Sequence, residues 1–262
     1  MKNKNYFHFT ILTALLVAIN ACTFFDKKQK QDNSNEMPTS ALYYYSSDSP
    51  NRYEIEDFDV EKLISKETEF HGMIGDDVQN MRIVFTSIHR ISDEKYEITG
   101  KSKVRNNICD FKGILNAIEI VESEFDSGDE SPNIVDGKII GNYSFNEDKN
   151  QSGAGIFEGT FEIYWAHYED SLGVADIWYT YSHYTILFDG IWKSNHTGKT
   201  KKACWSDYKA CFPEGFNVSD GPDLIPDEKY RSKGWDYMID LFSQDEEKKE
   251  KAIVEYNKKW WK

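Results

Sequence analysis

The residues of this sequence that could carry out acid–base chemistry are two histidines in aromatic-rich stretches. His167 is followed by Glu169 and Asp170, and His183 lies in the run IWYTYSHYTILF. A histidine beside a carboxylate is the usual apparatus of a hydrolase, because an imidazole titrates near neutral pH. A histidine in a strand is more often a hydrogen-bonded wall residue. His167, His183 and Asp170 are therefore catalytic candidates only under the first interpretation.

The sequence lacks the common cofactor and metal motifs. It contains no Gly-rich phosphate loop, no G-x-S-x-G elbow and no H-E-x-x-H zinc motif. Asp220, Asp223, Asp227 and Glu228 could offer oxygen ligands to calcium, but the EF-hand spacing is missing and a plain polar loop also explains them. We therefore predict no cofactor and no metal, and we expect binding rather than catalysis.

Two cysteines lie close together in the sequence. Cys204 and Cys211 enclose the segment WSDYKA and could close a small disulfide in an exported protein, which would leave Cys109 unpaired. Two reduced, partly buried thiols are the alternative, because sequence spacing does not show whether the Cα atoms lie within bridging distance. Zinc is disfavoured, since C-x₆-C has no second close pair of ligands.

An aromatic surface is the third kind of candidate site. Along one stretch Tyr179, Tyr181 and His183 alternate with Trp178, Ser182 and Tyr184, so both faces of that strand would carry aromatic area, and Trp165 lies in the preceding stretch. Tyrosine and tryptophan combine a large contact area with a polar group, which suits a glycan or protein partner. The alternative is that this face of the sheet is covered by the C-terminal segment, with Trp235, Trp260 or Trp261 as the cover.

The beginning of the chain has the layout of a bacterial export signal. Lys2 and Lys4 precede an apolar stretch that is shorter than the roughly 20 residues needed to span a bilayer. The segment Ile19-Asn20-Ala21-Cys22 that ends it resembles the lipobox of bacterial lipoproteins. The resemblance implies that a signal peptide, residues 1–21, is removed. It also implies that Cys22 carries a diacylglycerol and a further acyl chain.

Such an anchor would hold the protein on a membrane of the cell envelope. Thr23, rather than an aspartate, follows the cysteine, which by the enterobacterial sorting pattern favours the outer membrane. Residues 22–41 then form the lipidated cysteine and a flexible tether, because they are polar and poor in apolar residues. An ordinary signal peptide, or an uncleaved anchor with an incidental cysteine, is the alternative.

Alternating hydrophobicity predicts that residues 42–226 form an antiparallel β domain with a long loop at its end. Met81–Ile91, Lys95–Val104 and the stretch that begins at Gly155 each alternate with a period of two. A longer strand is predicted over Ile177–Lys193. The repeated pattern of an aromatic residue two positions before a glycine favours a curved meander, either a barrel or a sandwich. It occurs as Phe111-Lys-Gly113, Phe157-Glu-Gly159 and Phe188-Asp-Gly190.

The pattern becomes helical over residues 227–262. Tyr230, Gly234 and Met238 follow a spacing of three to four, and Ser243-Gln-Asp-Glu246 fits a capping box that opens a second helix. Ala252, Ile253, Tyr256 and Trp260 would form the apolar stripe of that helix. We predict that these helices pack across the sheet of the same domain.

The charge of the chain limits its partners. The formal net charge is −14, and it would be −16 after Lys2 and Lys4 are removed with the leader. Because nucleic acids are held by Lys and Arg, a nucleic-acid partner is not expected. The sequence favours a lipid-anchored envelope protein with a binding role. An envelope hydrolase acting on glycan or peptide, and an immunity or inhibitor lipoprotein whose acidic surface neutralises a basic toxin or lysozyme-like enzyme, are the alternatives.

Overall fold

Nine antiparallel strands dominate the described part of the chain. The computed structural model describes residues 53–122, 136–168, 171–175, 184–219 and 223–262. The predicted signal peptide, Cys22 and the predicted tether therefore lie outside the described residues. The strands are β1 (Glu69–Ile74), β2 (Gln79–Arg90), β3 (Lys95–Val104), β4 (Asn107–Glu122), β5 (Gly137–Glu147), β6 (Gly155–Tyr168), β7 (Ser171–Val174), β8 (Ile186–Ser194) and β9 (Thr200–Ser206).

Eight of these strands close into a barrel. Strands β1 to β6 form a meander, β6 pairs with β8, β8 with β9, and β9 returns to β1. The closing pairs include Gly72 with Trp205 and Met73 with Cys204. The ninth strand, β7, pairs with β6 at residues 165–168, beyond the stretch of β6 that pairs with β8. The predicted curved antiparallel fold is confirmed, in its barrel form.

Side chains from alternate strand positions fill the barrel. Because successive residues of a strand point to opposite faces, each strand contributes every second residue to the interior. Full burial of a phenylalanine contributes about 1.5–3 kcal/mol. The aromatic residues of this core that are at most 3 % exposed are Phe58, Phe70, Phe85, Tyr96, Phe111, Tyr143, Phe145, Phe157, Phe161, Trp165, Phe188 and Trp205.

Glycines allow two neighbouring strands to approach closely inside the barrel. Gly159 of β6 and Gly190 of β8 are directly opposite each other. A Cβ atom on Gly159 would lie 2.1 Å from the carbonyl oxygen of Asp189, and one on Gly190 would lie 2.1 Å from that of Glu158. Only glycine fits at either position, which agrees with the curvature predicted from the repeated pattern.

A short N-terminal segment covers one end of the barrel. It contains a 3₁₀ turn at Ile55–Asp57 and the helix α1 (Val60–Leu63), whose N-cap is the Asp59 side chain. Phe58, Val60, Leu63 and Ile64 belong to the same buried cluster as the barrel interior. The hydroxyl of Tyr96 donates to the carbonyl oxygen of Phe58 at 3.3 Å, which ties this segment to β3.

The C-terminal segment packs on the outside of the barrel wall. It consists of a 3₁₀ turn at Glu228–Lys233 and the helices α2 (Asp236–Asp240) and α3 (Glu246–Tyr256). Met73 and Val78 of the wall share a buried cluster with Phe216, Trp235, Tyr237 and Met238. The indole nitrogen of Trp235 donates to the carbonyl oxygen of Val78 at 2.8 Å. The prediction that this end packs across the sheet is confirmed, with Trp235 and Trp260 buried.

Three local predictions were wrong. The helical pattern from residue 227 is interrupted at Gly234, whose left-handed backbone (φ 89°) ends the 3₁₀ turn. Asp245, not Ser243, caps α3, because its carboxylate accepts from the backbone of Glu247 and Lys248. The strand predicted over Ile177–Lys193 is not continuous: residues 184–185 are not in a strand, Thr185 bonds to the Asp207 carboxylate, and β8 starts at Ile186. Residues 176–183 lie outside the described part of the chain.

No helix in the described ranges is both long enough and apolar enough to cross a membrane.

Candidate functional site

A cleft of about 480 Å³ lies between the barrel wall and the C-terminal segment. Its floor comes from β2 and β3, one rim comes from the turn between β3 and β4, and the other rim comes from α2 and the end of α3. Its lining residues are Asn80, Arg82, Lys103, Arg105, Asn106, Gly234, Asp236, Tyr237, Glu255 and Lys258. Four of them are cations, in a chain whose formal net charge is −14.

Arg82 is the central cation of the cleft. It points outward from β2 but is only 1 % exposed, because the C-terminal segment covers it. Its Nε and Nη2 donate to the two oxygens of Glu69, and the Nη2 bond is 2.8 Å long. The guanidinium carbon lies 5.1 Å from the centre of the Tyr237 ring and 5.8 Å from that of Trp260. Two aromatic rings and a bidentate carboxylate therefore hold this group in one orientation.

Arg82 remains charged in this environment. Burial alone would lower its pKa, but the hydrogen bonds to Glu69 and the carboxylates of Glu69 and Glu255 outweigh burial and raise the pKa above its ordinary value. Its third nitrogen, Nη1, is buried and makes no hydrogen bond to any described residue. Leaving a buried charged donor without an acceptor is costly, so this nitrogen is a point at which an anionic oxygen would be stabilised.

The carboxylate of Glu255 lies at the meeting point of three cations. Its Oε1 is 3.5 Å from Nη1 of Arg82 and 2.8 Å from Nζ of Lys103, and its Oε2 is 3.7 Å from Nζ of Lys258. Burial opposes ionisation, but the hydrogen bond and charge of Lys103 lower the pKa of Glu255. An ionised carboxylate from the last turn of α3 thus occupies a cationic site on the barrel wall.

The mouth of the cleft carries further charges. Arg105 belongs to the two-residue turn between β3 and β4, where its φ of 54° places it in the left-handed region, and its side chain is exposed. Asp236 opens α2 on the opposite rim. The mouth therefore has one cation and one anion facing solvent, above the buried guanidinium.

A neutral imidazole lies beside the buried arginine on the barrel wall. His71 stacks on Tyr256 with ring centres 6.1 Å apart, and its Nδ1 lies 3.4 Å from the hydroxyl of Tyr237. Burial lowers the pKa of His71 to about 4, and the effects of Glu69 and Arg82 on it are smaller and opposite in sign. Burial also raises the pKa of Tyr237. Both groups are uncharged at neutral pH, so the charge of the cleft is set by its arginines, lysines and carboxylates.

No family model, curated protein or solved structure matches this chain.

The structure pairs His167 with a carboxylate that was not predicted. Nδ1 of His167 lies 3.0 Å from Oδ2 of Asp136, and the same oxygen accepts the backbone N–H of His167 at 2.6 Å. The ring is 38 % exposed and lies between Tyr53 and Trp165, with ring centres 5.1 and 5.7 Å away. Both bonds to one oxygen tie the start of β5 to the end of β6, which is a structural role. Asp170 and His183 lie outside the described residues.

The predicted aromatic surface is wrong at Trp165. This side chain is fully buried in the barrel core and packs against Phe58, with ring centres 4.9 Å apart. It lies on the inward face of β6 because it is an even number of positions away from Phe157 and Phe161, which also point inward. Trp178, Tyr179 and Tyr181 lie outside the described residues.

The structure joins Cys204 and Cys211 by a disulfide, with Cα atoms 5.5 Å apart. Of the two alternatives, the bridge is the one present, and it links the end of β9 to the loop that leads to the C-terminal segment. Cys109 is a free, buried thiol, and burial raises its pKa to about 11. Asp227 caps the 3₁₀ turn through the backbone of Lys229. Within the described ranges, no group of three or more His, Cys, Asp or Glu residues is placed to hold a metal ion.

Sequence reasoning missed the cleft. Arg82 lies in the predicted strand MRIVFTSIHRI, where an arginine on the outward face is expected to be exposed to solvent. The signal that could have found it is the aromatic content of the C-terminal segment, which must cover some part of the barrel wall. Nothing in the sequence indicated that Glu255 would reach Lys103, because 152 positions separate them.

Proposed function

We propose that this chain is a lipid-anchored binding protein of the bacterial cell envelope. It holds a ligand in the cation-lined cleft and catalyses no reaction on it. The observation that carries this proposal is the buried Arg82 of the cleft lining, whose Nη1 makes no hydrogen bond to any described residue and has the Glu255 carboxylate 3.5 Å away as its neighbouring anion.

The cleft has the properties of a prebuilt binding site. Ligand pockets are typically concave sites of about 300–1,000 Å³ with a few well-placed polar groups, and this cleft has a volume of about 480 Å³. Arg82 and Lys103 project from neighbouring barrel strands, which are rigid supports. A rigid site loses little conformational freedom when a ligand binds.

Two observations support a location in the envelope. The lipobox-like segment that ends at Cys22 is the first, and the Cys204–Cys211 disulfide is the second. Disulfides persist in oxidising compartments and are rare in the cytosol. Outer-membrane anchoring remains part of the proposal, from the residue that follows Cys22.

The test of binding compares cleft variants with a matched control. The full chain, Lys103→Gln/Arg105→Gln and Lys112→Gln would be purified from bacterial envelopes and examined by native mass spectrometry for retained small molecules. Lys112 is an exposed lysine on β4 whose partner is Glu97, so it controls for the loss of a positive charge. We expect a retained ligand in the parent chain and in Lys112→Gln, but not in the double variant. Equal retention by all three proteins, or no retained ligand in any, would contradict the proposal.

The anchor is tested separately. We expect mass spectrometry of the mature protein to find acyl chains on Cys22, and Cys22→Ser to move the protein from the membrane to the soluble fraction. An unmodified Cys22 with the leader still attached would overturn the proposed location.

One observation favours an envelope hydrolase as a second candidate. The His167–Asp136 pair has the geometry of a base and its orienting carboxylate. If the parent chain releases fragments from cell-wall glycan or peptide and His167→Ala does not, the hydrolase is supported. If the parent chain releases no glycan or peptide fragments, the hydrolase candidate is ruled out.

A further inference from the structure

The carboxylate of Glu255 marks the place where an external anion would bind. It is held by cations from three separate elements: β2, β3 and the end of the chain after α3. Glu255 itself belongs to the last turn of a surface helix, and its side chain is 36 % exposed. It can therefore turn toward solvent, while the buried guanidinium of Arg82 cannot.

We propose that the cleft binds the phosphate group of a phosphate monoester, which takes the place of the Glu255 carboxylate beside Arg82, Lys103 and Arg105. This inference rests on the proposed binding function and names its ligand class.

The charges of the cleft match such a group. With the Glu255 side chain turned away, four cations remain: Arg82, Lys103, Arg105 and Lys258. Glu69 neutralises one of them through its paired bonds to Arg82, and Asp236 offsets another. The cleft is then left with two positive charges. A phosphate monoester carries about −1.5 to −2 near pH 7, whereas a simple carboxylate carries only one negative charge.

The buried guanidinium of Arg82 requires a neighbouring anion whether the Glu255 side chain lies beside it or has turned toward solvent. If Glu255 left without replacement, the Arg82 Nη1 would be a buried charged donor facing an empty cleft, which is unfavourable. A phosphate oxygen restores the negative charge beside Nη1 and can also accept the hydrogen bond that Glu255, at 3.5 Å, does not, since arginine and phosphate form strong charge-assisted bonds. Binding is therefore an exchange of an internal carboxylate for an external phosphate, and Glu255 acts as a built-in competitor.

The cleft has room for more than the phosphate. Its 480 Å³ is also lined by Gly234 and Tyr237, so the organic part of the ligand would lie against the 234–237 segment. The same group could come from a soluble metabolite or from a lipid, and the experiment must separate these two sources.

Isothermal titration of the full chain with glycerol 3-phosphate tests the proposal, with acetate as the carboxylate comparison at the same ionic strength. We expect saturable binding of glycerol 3-phosphate at a 1:1 ratio. Glu255→Gln should tighten it about tenfold or more because the competitor is lost, and Arg105→Gln should weaken it by a similar factor. Glu247→Gln is the matched control, since Glu247 is an exposed glutamate of the same helix paired with Lys251. It should leave the Kd within about twofold.

Vesicles that contain phosphatidic acid, which carries the same phosphate monoester on a lipid, form the second arm. Binding to these vesicles that glycerol 3-phosphate displaces, in variants lacking the Cys22 acyl chains, assigns the ligand to the lipid source. Binding of glycerol 3-phosphate without vesicle binding assigns it to the soluble source. Circular dichroism and melting curves establish that each variant is folded, and Glu255→Ala replaces Glu255→Gln if the latter is not.

Three outcomes would overturn the inference: an unchanged Kd in Glu255→Gln, equal binding of acetate and glycerol 3-phosphate, or no saturable binding of glycerol 3-phosphate. If the envelope-purified chain still retains a ligand that Lys103→Gln/Arg105→Gln loses, the proposed function stands while the phosphate assignment falls. If the chain retains no ligand and binds no phosphate ester, both fall.

Discussion

The indole nitrogen of Trp260 donates to Oε1 of Glu69 at 3.0 Å, and this carboxylate is the one that holds the Arg82 guanidinium. The two residues are separated by 191 positions, so the end of the chain is bonded directly to the first barrel strand. The bond completes the surroundings of a buried ion pair on the barrel wall. The Glu69 carboxylate therefore accepts hydrogen bonds from both Arg82 and Trp260, and the guanidinium compensates its negative charge.

Replacing Trp260 by phenylalanine tests this bond. Trp260→Phe keeps an aromatic ring but removes the donor, so we expect a loss of about 1–2 kcal/mol in the free energy of unfolding. Trp261→Phe is the control, because the Nε1 of Trp261 has no hydrogen-bond partner among the described residues. Urea denaturation at neutral pH measures both. Equal destabilisation by the two substitutions would show that the bond to Glu69 contributes nothing.

Reducing the disulfide should destabilise the fold. Cys204 and Cys211 are seven positions apart, and a loop of this size corresponds to roughly 2–3 kcal/mol of lost unfolded-state entropy. We expect the denaturation midpoint of the parent chain to fall when a reductant is added. Cys204→Ser/Cys211→Ser should be insensitive to reductant. The prediction fails if the parent chain shows the same midpoint with and without reductant.

A methyl group at Gly159 should be poorly tolerated. The Cβ of Gly159→Ala would lie 2.1 Å from the carbonyl oxygen of Asp189 and 2.7 Å from the Cα of Gly190, and backbone atoms cannot move aside cheaply. We expect a loss of about 2–4 kcal/mol or failure to fold, in the range known for overpacked cores and strained backbones. Thr160→Ala, at the exposed neighbouring position, should change the melting temperature little. A Gly159→Ala protein that melts like the parent would refute the close approach of β6 and β8.

His71 should make the fold sensitive to mild acid. Burial lowers its pKa from 6.5 in the unfolded chain to about 4 in the folded protein. Above pH 6.5 both states hold a neutral imidazole and this residue has no effect. As the pH falls from 6.5 to 4, the unfolded chain gains a proton that the folded protein does not, so stability decreases by about 3 kcal/mol.

Unfolding free energies at pH 7.5 and pH 4.5 measure this effect. We expect His71→Asn to lose about 2–3 kcal/mol less than the parent chain between these pH values. His196→Asn, which replaces an exposed histidine in the turn after β8, is the control. Identical acid sensitivity of the parent chain and His71→Asn would show that the imidazole is not held neutral.

The curved antiparallel sheet was predictable from the sequence because its signal is local, whereas the choice of a barrel over a sandwich was not. Phe157, Phe161 and Ile163 alternate with polar residues, and one-face burial in a strand produces this period of two. The close contact of Gly159 with Gly190 also left a trace, in the repeated pattern of an aromatic residue before a glycine. Closure of the ring between β9 and β1 left no such trace, since the pairing of Gly72 with Trp205 joins distant parts of the chain.

The cleft could not be predicted, because its chemistry depends on which wall the C-terminal segment covers. Arg82 is a surface arginine until Tyr237 and Trp260 close over it. Similarly, α3 was predicted from its periodicity, but Ile253 and Tyr256 of the expected apolar stripe are 42 % and 43 % exposed. The polar residue Glu255, between them, makes the contacts that matter for the cleft.

Closure of the ring also affects how the protein behaves at high local concentration. A sheet with free edges offers unpaired N–H and C=O groups that can recruit strands from other molecules, and this is a common start of fibril formation. Here β9 hydrogen-bonds to β1, so neither strand is left as such a template at that seam. Many copies at high local concentration could thus remain separate molecules without a chaperone to shield them.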